Sequence, residues 1–210
     1  MLLPRTCPLC GRRGPAPCAA CAAQLDRAPA LPPPAGVDAC VALVAYEDAG
    51  RELIARLKYR NARSALRWLV VSMAALARPM TVDAVTWVPT TRVRQRDRGF
   101  DQAELLARGV ARQLHVPCRR LLARAHGPPQ TGRSASERRL GPVLAARAER
   151  MPAHVLLVDD VITTGTTVTV AARALRAAGV SRVSVLSAAR TPLKRADAAS
   201  DIERNDAGIP

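Results

Sequence analysis

Two adjacent carboxylates, Asp159 and Asp160, stand between the apolar run Val155-Leu156-Leu157-Val158 and the hydroxyl-rich stretch Thr163-Thr164-Gly165-Thr166-Thr167. Carboxylates accept hydrogen bonds from sugar hydroxyls and can hold a divalent cation through its water shell. Threonine hydroxyls donate to phosphoryl oxygens, and a glycine lets the backbone approach them closely. The apolar run reads as a buried parallel strand that ends at the acidic pair, and the pattern after Thr166 reads as a helix. A strand that hands over to a helix amino terminus presents unpaired N–H groups and the positive end of the helix dipole, which suits a phosphate. The chemistry implied is a phosphosugar site. The plainer alternative, that the aspartates only end a strand and cap a helix, does not account for the hydroxyls and glycine at that spacing.

A second segment with chemistry in it follows Trp87-Val88. Pro89, Thr90, Thr91, Arg92, Arg94, Arg96 and Arg98 lead to Gly99-Phe100, with the arginines at alternate positions. Guanidinium forks match phosphoryl oxygens, and the carboxyl end of a strand is where open α/β sheets bind ligands. The alternative is a solvated loop. At the other end of the chain, Cys7-Pro8-Leu9-Cys10 and Cys18-Ala19-Ala20-Cys21 make two Cys-x-x-Cys knuckles. Two such knuckles complete a tetrahedral S₄ shell, which suits structural zinc and leaves no open position for catalysis. A redox dithiol is the rival, and it needs a thioredoxin-like context. Cys40 and Cys118 have apolar neighbours and read as small core residues.

The elements that must position these groups alternate along the chain. Residues 1–36 form the cysteine segment, closed by the stiff linker Leu31-Pro32-Pro33-Pro34-Ala35-Gly36. Residues 37–190 carry strands at Cys40–Tyr46, Ala84–Val88, Val155–Val158 and Arg182–Ala188. Helices are expected at Gly50–Leu57, Arg63–Ala77, Asp101–Leu114 and Thr166–Ala178, with Lys58-Tyr59-Arg60-Asn61 as an interruption. In the third helix, Ala103, Leu106, Ala107, Val110 and Leu114 share one face. This alternation predicts an α/β fold, a parallel sheet flanked by helices, with a small zinc-binding segment before it. Residues 191–210 read as a disordered tail.

The 210 residues suffice for one cored domain and an appendage. Aromatics are only 2% of residues, so the core must come from Ala, Val and Leu. No apolar stretch is long enough to cross a bilayer, and cysteines occupy the place of a signal peptide, so a cytoplasmic protein without membrane insertion is expected. Six cysteines in that compartment favour a metal over disulfides. The net charge of +15 would ordinarily point to nucleic acid. Arginine supplies nearly all of it, however, and only Lys58 and Lys194 are lysines, a bias that a GC-rich genome imposes without functional meaning. Fourteen arginines against five acids fall within residues 90–150, where a pyrophosphate, a nucleotide or a DNA backbone could each meet them.

The acidic pair and threonine turn resemble the phosphoribosyl-pyrophosphate (PRPP) signature of type I phosphoribosyltransferases. Together with the cysteine knuckles, Leu57-Lys58-Tyr59 and the Val88-to-Ala107 segment, they resemble the ComF-type family of bacterial competence-associated phosphoribosyltransferases over roughly residues 5 to 190. The resemblance implies a type I phosphoribosyltransferase fold with a zinc finger in front. It implies ribose contacts from Asp159 and Asp160, a 5'-phosphate cradle at Thr163 to Thr167, a pyrophosphate loop near Pro89 to Arg92, and a flexible ligand-closing loop to which Arg94 to Gly99, with Arg94 and Arg98, would belong. Mg²⁺ would accompany PRPP, and Lys58 and Tyr59 would lie near the ligand, although a lysine over helix-end carbonyls is the blander account. Partners implied are PRPP or a related phosphosugar or nucleotide, single-stranded DNA and competence proteins, with a homo-oligomer allowed. Asp101 departs from the family's usual Asn, and Gly141 stands where an Asn is usual after Gln130 and Glu137-Arg138; both departures bear on the acceptor side. His115, His126 and His154 have no partner at a fixed spacing and are not expected to be general bases. Two other classes stay open: an accessory that binds DNA through its basic surface, and a PRPP sensor without turnover.

Overall fold

A computed structural model describes residues 6–59, 63–124, 143–147 and 150–192. In chain order its elements are α1 (Ala19–Ala22), β1 (Ala39–Ala45), α2 (Asp48–Tyr59), a 3-10 turn (Arg63–Ala65), α3 (Leu66–Ala77), β2 (Ala84–Trp87), α4 (Arg92–Arg98), α5 (Gln102–Leu114), β3 (Leu122–Arg124), β4 (Leu144–Ala146), β5 (His154–Ile162), α6 (Thr166–Ala177) and β6 (Arg182–Arg190). The expected interruption at Arg60-Asn61, together with His126, Gln130, Glu137, Arg138, Gly141 and positions 193–210 of the expected tail, lies outside the described residues.

Four parallel strands form the sheet in the order β1-β6-β5-β2, and β3 and β4 pair separately as an antiparallel ribbon. The two central strands are Val-, Leu- and Ala-rich because both their faces are covered. Leu156, Val158, Leu186 and Ala188 pack beneath α2, α3 and α5 on one face. Val155, Leu157, Val183 and Val185 pack beneath α6 and the β3–β4 ribbon on the other. With so few aromatics, close approach of backbones replaces bulk. A Cβ on Gly109 of α5 would sit 2.4 Å from Val70 Cγ2 of α3, so only glycine allows that contact. The helix-flanked parallel sheet is therefore as the alternation predicted.

Two expectations about local form are corrected. The acidic strand does not stop at its carboxylates: β5 continues to Ile162 because β6 runs beside it, with Asp159 opposite Ser187 and Ile162 opposite Arg190. Its other neighbour stops short. β2 ends with Trp87 opposite Val158, and the chain turns away at Pro89. The arginine segment is not a loop but the short helix α4, because Thr91 Oγ1 caps it by accepting from Arg94 N at 3.2 Å and Gly99 closes it at φ 76°.

The residues before β1 pack on this core. Leu9 and Leu25 lie against the α2–α3–α5 side, Arg56 of α2 donates to the Pro8 carbonyl, and Arg27 bridges to Val44. The proline linker is tethered as well as stiff: Arg190 donates to the Leu31 carbonyl at 3.1 Å and to the Pro32 carbonyl at 2.8 Å. No helix among the described residues is long and apolar enough to cross a membrane.

Candidate functional site

Because β2 ends before β5 does, a crevice opens at the carboxyl edge of the sheet between the tip of β5 and the chain leaving β2. A cavity of about 330 Å³ lies there, lined among others by Pro89, Thr90, Arg94, Arg98, Asp159, Asp160, Thr163 and Thr167. Successive strand residues face opposite sides of a sheet, so the two aspartates enter the cavity in different company. Asp160 shares the face of Val158 and meets Lys58 from the end of α2, with Nζ 3.0 Å from Oδ1. Asp159 shares the face of Leu157 and accepts the Asp160 N–H at 2.8 Å. Burial first, and the neighbouring Asp160 carboxylate second, push the Asp159 pKa up to about 8.

After Ile162 the chain makes the threonine turn into α6. Gly165 takes the left-handed conformation at φ 76°, and a Cβ there would meet Pro34 Cγ of the linker at 3.0 Å. The first backbone bond into the helix runs from Thr169 N to Gly165 O at 2.9 Å, so the N–H groups of the opening turn have no intrahelical acceptor. The ends of the turn, Thr163 and Thr167, line the cavity. Thr164 and Thr166 bond each other instead, Oγ1 to Oγ1 at 2.9 Å.

Of the arginine segment, the helix brings Arg94 and Arg98, one turn apart, to the cavity wall. Arg92 does not reach it: the side chain is exposed, and its carbonyl accepts from Arg96 Nε at 3.4 Å. Thr91 is spent as the cap. Four polar lining residues were not singled out as binding groups from the sequence: Tyr46, Asp101, Gln102 and Arg124. Asp101 had a readable signal, because Asp101 and Glu104 stand at the spacing of a capping box before an apolar helical face. Its carboxylate is the α5 cap, accepting from Ala103 N at 3.1 Å and Glu104 N at 3.3 Å. Arg124 had none, since its place depends on the packing of β3.

Of the described histidines, neither His115 nor His154 lines the cavity. His154 is buried at the foot of β5, bonded to Ser184 Oγ at 2.8 Å and to the Thr81 carbonyl. His115 closes α5.

The sulfur atoms of Cys7, Cys10, Cys18 and Cys21 all lie within 4.8 Å of one another. Zn–S bonds of about 2.3 Å give a tetrahedral edge of roughly 3.8 Å, so the cluster fits one tetrahedral ion. Cys10 and Cys18 are already 3.7 Å apart, and Cys18 N donates to Cys7 Sγ at 3.4 Å. Burial opposes ionisation of Cys7, but N–H groups from Cys18, Cys10 and Leu9 outweigh it and bring the thiol down to about 6. Burial and the neighbouring thiols push Cys21 up to about 12. Four adjacent sulfurs cannot all be thiolates without a cation among them. Cys40 and Cys118 are not in this group and pack against the two core layers.

Residues 101–205 match the phosphoribosyl transferase domain family. Competence protein F of Haemophilus influenzae is 34% identical over 152 residues, covering 66% of this chain and 66% of that protein. Competence protein ComFC of Bacillus subtilis is 29% identical over 152 residues, covering 67% of this chain and 61% of that protein. The chain thus spans about two-thirds or less of these relatives' lengths. Among solved structures, the allosteric regulatory enzyme of purine biosynthesis is 25% identical with a TM-score of 0.42, over 59% of this chain and 25% of that one.

Proposed function

The chain belongs to the phosphoribosyl transferase domain family, and from that premise we propose that it binds PRPP with Mg²⁺ and transfers the phosphoribosyl group to an acceptor, releasing pyrophosphate. One observation supports this most: the cavity sets two carboxylates on the tip of one strand against guanidinium groups from α4 and β3, with threonine hydroxyls at its end. A ligand with a hydroxylated ring between two phosphoryl groups matches that order of charges. Asp159 and Asp160 accept from the ribose hydroxyls, Thr163 and Thr167 with the opening amides of α6 take the 5'-phosphate, and Arg94 and Arg98 face the pyrophosphate.

Displacement at the anomeric carbon passes through a sugar with cationic character. The Asp160 carboxylate lends it negative potential, and the arginines hold the departing anion. Hard oxygen donors on a half-buried acidic pair fit Mg²⁺, which binds through one or two carboxylates and substrate phosphates and keeps several waters. When bound it neutralises charge on the leaving group. The cysteine cluster holds structural zinc, which stabilises the segment packed on α2.

Calorimetric titration with PRPP in the presence and absence of Mg²⁺, followed by a screen of candidate bases for pyrophosphate release, tests the reading. Mg-dependent binding is expected, and release with at least one acceptor. Binding without release in any acceptor leaves a PRPP sensor, and no binding removes the reading altogether.

The names of the relatives favour a second reading, a part in competence with single-stranded DNA and competence proteins as partners. Arg92 and Arg96 on the exposed side of α4 would then contact phosphates. DNA affinity would fall steeply with salt, whereas PRPP affinity would follow Mg²⁺.

A further inference from the structure

The Pro89–Thr90 peptide is gripped from both ends by charged side chains. Its C=O accepts from Arg124 Nε at 2.7 Å, and its N–H donates to Asp101 Oδ2 at 2.9 Å. The other Asp101 oxygen is bound to the start of α5, and Asp101 is only 7% exposed. One planar peptide is thus fixed by β3 and α5, from residues that lie 35 and 11 positions away in sequence.

Fixing a carbonyl needs only one of the five N–H donors of an arginine. The Arg124 guanidinium is half-buried in the cavity wall, and its terminal Nη groups have no hydrogen-bond partner among the described residues. Burial lowers its pKa, Arg94 lowers it further, and Asp159 and Asp101 only partly offset this. A desolvated cation beside a like charge is costly unless an anion completes it. The same wall leaves another donor unused: Gln102 is 1% exposed, its Oε1 accepts from Arg98 Nη1 at 3.1 Å, and its Nε2 has no partner among the described residues.

We propose that Arg124 is a specificity-determining residue that selects ligands carrying a second phosphoryl group, its Nε fixing the Pro89–Thr90 peptide while its Nη groups meet phosphoryl oxygen, with Asp101 as the positioning residue on the other side of the peptide. This rests on the phosphosugar reading of the same cavity. It assigns discrimination between a diphosphorylated pentose and a monophosphate to a side chain outside both the threonine turn and α4.

The test is calorimetry of the full chain with PRPP and, separately, ribose 5-phosphate, both with Mg²⁺. Arg124→Gln is expected to weaken PRPP binding at least tenfold while leaving ribose 5-phosphate within twofold. Should that variant fail to fold, Arg124→Lys keeps a cation but neither the fork nor the Nε bond, and is expected to lose at least threefold for PRPP alone. Unchanged PRPP affinity in the variant, or a parallel loss for both ligands, overturns the assignment and leaves Arg124 a prop for the loop. Wild-type protein that binds neither ligand overturns the phosphosugar reading itself, an outcome seen before any variant is made.

Discussion

One wall of the cavity is the tip of β5, held by β6 as far as Ile162 and continued by a turn packed against the proline linker. The facing wall includes α4, a helix of seven residues with none buried, fixed by a threonine cap and a terminal glycine. The first wall inherits its geometry from the sheet, so its groups stand in place before any ligand arrives. The second is a set of charges on a small element whose position depends on its two ends. On the proposed reading the groups assigned to the sugar sit on the rigid side and most of those assigned to pyrophosphate on the lighter one, an arrangement that would let a leaving group depart without disturbing the sugar site.

The largest expected difference is in pH response. In the ligand-free protein Asp159 keeps its proton up to about pH 8, against an ordinary 3.8, because it is buried and next to Asp160. A carboxyl raised on folding gives stability that is fully present below its unfolded pKa and is lost as pH rises through the folded one. Wild-type stability from this group should therefore decline between about pH 4 and pH 8. Asp159→Asn removes the decline, so its melting temperature should gain on wild type from pH 5 to pH 9. A difference constant across that range would show that Asp159 ionises freely.

Next in size is a comparison of two glycines in the same left-handed conformation, one on each wall. Gly165 and Gly99 both have φ 76°, but a Cβ would meet Pro34 at 3.0 Å in the first and open space in the second. The backbone conformation alone costs about 1–2 kcal/mol for a side chain. Gly99→Ala should lose about that much in urea unfolding and Gly165→Ala more. Equal losses would mean that the linker is not seated against the threonine turn in solution. On the same wall, Asp160→Asn is expected to weaken Mg-dependent PRPP binding at least tenfold, about 1.4 kcal/mol. Unchanged calorimetric affinity would remove the acidic pair from the site.

The rigid wall was the legible one. An apolar run, an acidic pair and a Thr-Thr-Gly-x-Thr turn are contiguous, so their chemistry and their geometry are written in the same few residues. Even there the sequence pattern ends β5 too early, because charged residues look like a strand terminus until β6 is known to run alongside. Lys58 was noted for its position, but its pairing with Asp160 depends on which sheet face α2 covers. Arg124 and Tyr46 come from distant stretches with no local pattern, and only the packed fold brings them to the cavity that Pro89 and Asp160 also line.

The smallest effect separates two arginines that the sequence treats alike. Read as a loop, Arg92 and Arg94 sit at alternate positions and could face the same way; on α4 they are about 200° apart around the helix axis. Arg94 lines the cavity and Arg92 does not. An exposed cation near a phosphate is worth about 0.2–1 kcal/mol and is screened by salt. Arg94→Ala should therefore weaken PRPP binding a few-fold at low ionic strength and less at high, whereas Arg92→Ala should stay within twofold at both. If the two variants weakened binding equally, α4 would not persist as a helix in the bound protein, and the lighter wall would be the closing loop that the family resemblance implied. If only Arg92 mattered, the helix would have to turn by half a revolution on binding, which its Thr91 cap and its continuity with the buried Phe100 oppose.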